Sequence, residues 1–79
     1  MNVEALETGL RLLKSGSQLI IQFPSSSNEH VSIYSISGQV IYRSSVNFNN
    51  EQAVISPNLK ENQVYVLRIQ NETIKFILN

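Results

Sequence analysis

Residues 31–43, Val-Ser-Ile-Tyr-Ser-Ile-Ser-Gly-Gln-Val-Ile-Tyr-Arg, constrain the fold more than any other stretch of the chain. Val31, Ile33 and Ser35 alternate with Ser32, Tyr34 and Ile36, the period of two expected of a strand whose faces differ. Ser37-Gly38 interrupts the run with a dipeptide suited to a tight turn, because glycine reaches positive φ without a Cβ clash. Val40, Ile41 and Tyr42 resume the β-branched and aromatic bias at once. Two such runs around Ser-Gly predict an antiparallel hairpin at the centre of the fold.

The flanking sequence keeps the same period. Residues 1–8 carry Glu4 and Glu7 and no period, and read as a lead-in to a domain spanning 9–79. Leu10 and Leu12 then oppose Arg11 and Leu13, and Ser15-Gly16-Ser17 is a turn. Leu19, Ile21 and Phe23 form one face of a strand that ends at Pro24, before a polar loop over 25–28. After Arg43 the strand character fades into Asn47-Phe48-Asn49-Asn50, a loop with one aromatic. Gln52–Ser56 is a short strand, with Ala53 and Ile55 opposing Val54, and Leu59 is expected to turn inward from the connection that follows. Tyr65, Leu67 and Ile69 alternate with Val64, Val66 and Arg68, Asn71-Glu72 supplies a turn, and Ile74, Phe76 and Leu78 oppose Lys75 and Ile77. About seven short strands at roughly ten-residue spacing, with no helix, predict an antiparallel β-sandwich in preference to a barrel.

At 79 residues the chain makes one small domain. A domain of this size buries only about 60% of its unfolded surface. Ordering the backbone costs roughly 1–2 kcal/mol per residue, so nearly every apolar strand position must be buried. Six basic and six acidic residues cancel, which leaves no excess of positive charge to draw nucleic acid or an anionic membrane surface. The absence of cysteine excludes disulfides and thiolate zinc sites. An apolar run such as Leu19-Ile20-Ile21 is far too short to span a bilayer. Glu4 and Glu7 stand where a signal peptide would need basic and then apolar residues. Taken literally the chain would be cytosolic; taken as a piece of a longer protein it carries no address.

Candidate chemistry is sparse. His30 is the single histidine, beside Glu29, and has neither a second histidine nor a cysteine with which to share a metal. It reads as a strand-end residue facing solvent. The serines lack a nucleophile-elbow pattern, and His30 would have to serve all of them as base. Glu4, Glu7, Glu29, Glu51, Glu61 and Glu72 fall mostly at loops and strand ends, where acids are solvated. Asn71-Glu72-Thr73 fits a glycosylation acceptor tripeptide but lies in a tight turn. Tyr34, Tyr42 and Tyr65 could line a sugar-binding face, although tyrosines in a small sandwich more often sit at the core and rim. No catalytic residue, metal ligand or cofactor site is expected.

From Leu10 onward the order of motifs resembles the C-terminal sorting domain of proteins secreted by the type IX secretion system of Bacteroidetes. Three blocks carry the resemblance: Gln18–Phe23 with its polar loop, Val31–Tyr42 with the turn glycine Gly38, and Leu59–Leu78 with Val-Tyr-Val-Leu-Arg-Ile and a lysine-bearing last strand. The chain departs from the family at two places. Gln63 stands where the family has glycine two residues before the tyrosine, and Asn79 stands where a basic residue is common. A residue with a side chain forced into positive φ costs roughly 1–2 kcal/mol, unless Asn62 takes that conformation in place of Gln63.

The resemblance implies a non-enzymatic, Ig-like sandwich at the end of a larger secreted protein. Such a domain would be read in the periplasm by an outer-membrane translocon and a shuttle protein, and then removed by a sortase-like cysteine protease. The cargo would become attached to anionic lipopolysaccharide at the cell surface or be released outside the cell. The cut would fall in or before residues 1–9, and the recognition residues would be Gly38, Tyr65, Lys75, Ile77, Leu78 and Asn79. Two other classes remain open. One is an Ig-like or fibronectin-like accessory module binding a carbohydrate or a protein; the other is a self-associating module that dimerises through exposed strand edges.

Overall fold

Alternation of apolar and polar residues drives the backbone into seven strands, and the computed structural model describes them within residues 9–78. They are β1 (Arg11–Ser15), β2 (Gln18–Gln22), β3 (Asn28–Ser35), β4 (Val40–Asn47), β5 (Gln52–Ile55), β6 (Val64–Ile69) and β7 (Glu72–Ile77). The expected lead-in over 1–8 and the terminal Asn79 lie outside the described residues. One sheet has the order β1-β2-β5 and the other β4-β3-β6-β7, with every pairing antiparallel. The two packed sheets form an all-β sandwich, as the periodicity predicts, of the Ig-like type that the resemblance implies.

The hairpin of β3 and β4 is present, but its two arms have different places. β3 is interior, flanked by β4 and β6, whereas β4 is an edge of its sheet. The register slips between Ile33 and Tyr34, which face Tyr42 and Val40, so Ile41 is the extra residue of a β-bulge. The loop between the arms is Ile36–Gln39. The Ser35 N–H donates to the Gln39 carbonyl at 2.8 Å, and the Gly38 N–H donates to the Ser35 carbonyl at 2.9 Å. Gly38 has φ 94° and nothing within 4 Å of where a Cβ would stand, so glycine is needed there for the backbone alone.

The core lies between the sheets and follows the alternation. Leu19 and Ile21 on β2, Val31 and Ile33 on β3, Leu67 and Ile69 on β6, and Ile74 and Phe76 on β7 are all buried. Leu59 packs against this cluster from the connection, as expected. Among the described residues no polar or charged residue is buried. At about 25 cal/mol per Å² of apolar surface, this single interior is the main stabilising term.

Two connections differ from the simple reading. Phe48, expected in a loop, is 2% exposed and meets Phe23 edge-on at a centroid distance of 6.2 Å. Its N–H donates to the Ser27 carbonyl at 3.1 Å, which pins the β4–β5 connection to the loop before β3. Beyond it, Asn49 and Gln52 exchange backbone hydrogen bonds across Asn50 and Glu51, both left-handed at φ 56° and 62°. That is the geometry of a type I′ turn, which favours Asn-Gly. The last hairpin turns at Gln70-Asn71 rather than Asn71-Glu72, because Glu72 already pairs with Ile69 and Gln70 takes φ 55°. Before β6, Asn62 holds the left-handed conformation at φ 62° and spares Gln63.

One polar clasp ties distant segments together. The Glu29 carboxylate accepts from the Ser25 hydroxyl at 2.6 Å and from the Gln70 side-chain amide at 3.1 Å, with Ser27 at 3.4 Å. These bonds, Ser25 first and Gln70 next, hold the carboxyl below its ordinary value of 4.5. Because the folded pKa is the lower one, the clasp contributes fully above 4.5 and is lost as pH falls through the folded value.

Three outcomes follow. In a side-chain NMR titration the Glu29 midpoint falls below that of a free glutamate, and Ser25→Ala raises it more than Gln70→Ala. Phe48→Ala lowers the urea unfolding free energy by about 3–5 kcal/mol, the usual loss for an emptied aromatic core site. Glu51→Gly raises it by about 0.5–1 kcal/mol, since glycine removes most of the left-handed penalty while adding unfolded-state entropy.

Candidate recognition surface

The alternation that fills the interior also dictates what the four-stranded sheet shows on its other side. Register places Val40, Tyr34, Val66 and Lys75 in one row across β4, β3, β6 and β7. One step toward the β3–β4 turn lies the pair Val64 and Ile77. Val40 and Ile41 are 47% and 42% exposed, because the bulge at Ile41 keeps both β-branched side chains out of the core. Tyr34, Val64, Val66 and Ile77 are half-buried. The same end of the sheet therefore carries the Gly38 turn, an apolar strip and the close of β7.

The six residues expected to carry recognition divide by the face they occupy. Lys75 is exposed and Ile77 half-buried on the outer face, where they border a shallow hollow of ≈ 180 Å³ with Val64 and Phe76. Gly38 is exposed at the turn. Tyr65 and Leu78 turn inward, at 4% and 7% exposure. The Tyr65 ring lies 5.8 Å from that of Phe76, and its hydroxyl accepts from the Lys60 N–H at 2.9 Å and donates to Gln63 Oε1 at 3.3 Å. Tyr65 thus anchors the connection before β6, and Leu78, whose carbonyl accepts from the Asn62 N–H at 2.6 Å, anchors the end of β7. Asn79 lies outside the described residues.

Among the described residues β7 pairs with β6 alone, so its other side is an edge that none of them covers, with Lys75 near the strand's middle. The three tyrosines do not share a surface: Tyr34 faces outward, Tyr42 packs against the core and Tyr65 is inside it. His30 is exposed beside Ser45 in register, and among the described residues no hydrogen bond joins it to a serine. Among those residues no three His, Cys, Asp or Glu side chains converge on a metal-sized site, and no helix is long and apolar enough to cross a membrane.

A second depression of ≈ 350 Å³ opens at the mouth between the sheets, lined in part by Lys14, Leu19, Pro57, Leu59, Glu61 and Leu78. Lys14 Nζ lies 3.7 Å from the Glu61 carboxylate, a pair of a half-buried lysine with an exposed acid at the surface, worth at most about 1 kcal/mol. The apolar strip of Val40, Tyr34 and Val66 was out of reach of sequence reasoning, because strand order decides which outward residues become neighbours. Alternation marks Tyr34 as outward, but Val40 shares the parity of the core-facing Tyr42 and is outward only because of the bulge at Ile41.

Searches of the curated proteins and of the solved structures gave no match. The family described as "Secretion system C-terminal sorting domain" matches residues 14–79, which include six of the seven strands whole and the end of β1. The chain belongs to this family of C-terminal sorting domains, the signals that direct a larger cargo through type IX secretion to the cell surface or extracellular space.

Proposed function

We propose that this domain works as a non-catalytic recognition module, read through the free edge of β7 and the outward residues beside it. Lys75 and Ile77 are the contacts presented to the secretion machinery, and the Gly38 turn borders them at the same end of the sheet. Tyr65 and Leu78 act from inside, holding β7 and the connection before β6 in register. Asn79 is a further contact in this reading. A receptor strand can pair with the edge by β-augmentation, taking specificity from the side chains that alternate along it. The single observation that carries this reading is a last strand, β7, with an edge left uncovered among the described residues and with Lys75 and Ile77 among its outward side chains.

In this reading the domain passes through the periplasm with its cargo and is engaged there by a shuttle protein and the outer-membrane translocon. A sortase-like protease then cuts in or before residues 1–9, and the cargo is joined to anionic lipopolysaccharide. That stretch precedes β1, the first strand of the described residues, which begins at Arg11.

Removing β7 outright is a poor test, because Ile74, Phe76 and Leu78 belong to the core and their loss would unfold the domain. Substitution on the outer face separates recognition from folding. A fluorescent cargo carrying a signal peptide and this domain is followed in a bacterium with type IX secretion. Lys75→Glu with Ile77→Thr should cut surface cargo about tenfold or more, as the loss of one good interfacial contact would. The unfolding midpoint should stay within a few degrees. Wild-type export from that double variant would remove β7 as the element read.

A further inference from the structure

The chain is neutral overall, yet its charges are not evenly spread over the sandwich. The outward positions of the four-stranded sheet include Arg43 on β4, Arg68 on β6 and Lys75 on β7, half of the six basic residues, and no glutamate. Of the four acids among the described residues, Glu29 and Glu72 pair with Val46 and Ile69 on the inward parity, and Glu51 and Glu61 lie in connections. The ion pair among those residues is Lys14 with Glu61, on neither of these strands, so Arg43, Arg68 and Lys75 have no carboxylate partner there.

Arg43 and Arg68 are neighbours of the same residue. Ser32 on the interior strand faces Arg43 on one side and Arg68 on the other. With strands ~4.8 Å apart, the two arginine Cα atoms stand about 10 Å from each other across a residue too small to fill the gap. The Arg68 Nε–H donates to the Gln70 carbonyl at 3.2 Å, which steadies that guanidinium and leaves its Nη groups to donate elsewhere. The small hydroxyl side chain of Ser32 is thus flanked on the outer face by an arginine on each neighbouring strand. The next row along the sheet is the apolar strip of Val40, Tyr34 and Val66.

We propose that this outer face docks an acidic protein surface, seating one carboxylate between Arg43 and Arg68 over Ser32 while apolar side chains cover the adjacent strip. Two planar guanidinium groups suit a carboxylate, which accepts bidentate hydrogen bonds from each. An apolar row flush against the cations suits a protein better than a free polyanion, which would leave Val40 and Tyr34 uncovered. The proposal rests on the sorting reading in one respect, that a protein of the secretion machinery reads this domain. It adds a contact surface distinct from the β7 edge and gives the chemistry of the partner.

The cargo fusion tests it with variants matched for charge. Arg43→Glu with Arg68→Glu should lower surface cargo about tenfold or more, the scale of one buried charge-assisted contact, with cargo held in the periplasm and the unfolding midpoint little changed. Arg11→Glu with Lys60→Glu makes the same change in net charge at exposed sites elsewhere and should export normally. Val40→Thr with Ile41→Thr removes apolar cover without a charge and should impair export as well. Equal loss from both charge reversals would mean general attraction to a polyanion, and normal export from the threonine pair would mean a free anion at the arginines; either overturns the proposal. Wild-type export from the Arg43 and Arg68 reversal also overturns it. If Lys75→Glu with Ile77→Thr still blocks export in that case, the sorting reading survives and only this face is wrongly assigned.

Discussion

The interior of this domain depends on one constraint: each strand must bury one parity of its side chains between the sheets. β3 shows why. It sits between β4 and β6, so its backbone groups are satisfied on both sides while Val31 and Ile33 are fully enclosed. A one-residue slip would carry these side chains to solvent and bring Ser32 and Tyr34 inward. Register in the middle strand therefore sets register in its neighbours, and through them the alignment of Lys75 with Val66 and of Ile77 with Val64. The bulge at Ile41 is confined to the edge strand, where one unmatched residue disturbs a single neighbour.

Most of the strands, and the side chains they bury, were legible because a period of two is a local property. Leu19 with Ile21, Tyr65 with Leu67, and Ile74 with Phe76 are alternations visible within five residues. Phe48 was not legible, since its neighbours are asparagines and its burial depends on Phe23, reached only after the sheets pack. The turn at Gln70-Asn71 was misplaced by one residue because glutamine is an unusual choice for a left-handed φ, and the preferred asparagine stands beside it. Strand order was the real gap. The adjacency of β3 and β6, distant in sequence, brings Arg43 and Arg68 to either side of Ser32, and no local pattern encodes it.

With three glycines in the whole chain, much of the turn chemistry falls to other residues. Asn50, Glu51, Asn62 and Gln70 all hold positive φ, at roughly 1–2 kcal/mol each for a residue with a Cβ, less for the asparagines. A small domain has little stability to spare for this. The chain offsets it where turns join the core: Phe48 precedes the Asn50-Glu51 turn, and Asn62 donates to the Leu78 carbonyl. Gln63, in turn, is free to accept from the Tyr65 hydroxyl. Gln63 has thus become part of the anchor for β6.

The coupling of parity to register has a consequence for recognition. On β7 the inward residues Ile74 and Phe76 fix the strand, and the outward residues Lys75 and Ile77 lie between and beside them. A partner reading the outward set meets backbone positions already fixed by the inward set, so little backbone ordering entropy is lost on contact. The same holds for Arg43 and Arg68, whose separation is set by the width of β3 rather than by loops. Surfaces of this kind tolerate change poorly in one direction: an inward substitution disorders the signal, whereas an outward one alters it without unfolding the domain. A sandwich with an apolar interior and small, sparse loops is therefore well suited to presenting fixed features to a receptor, because the backbone beneath its outward residues needs no motion to become competent.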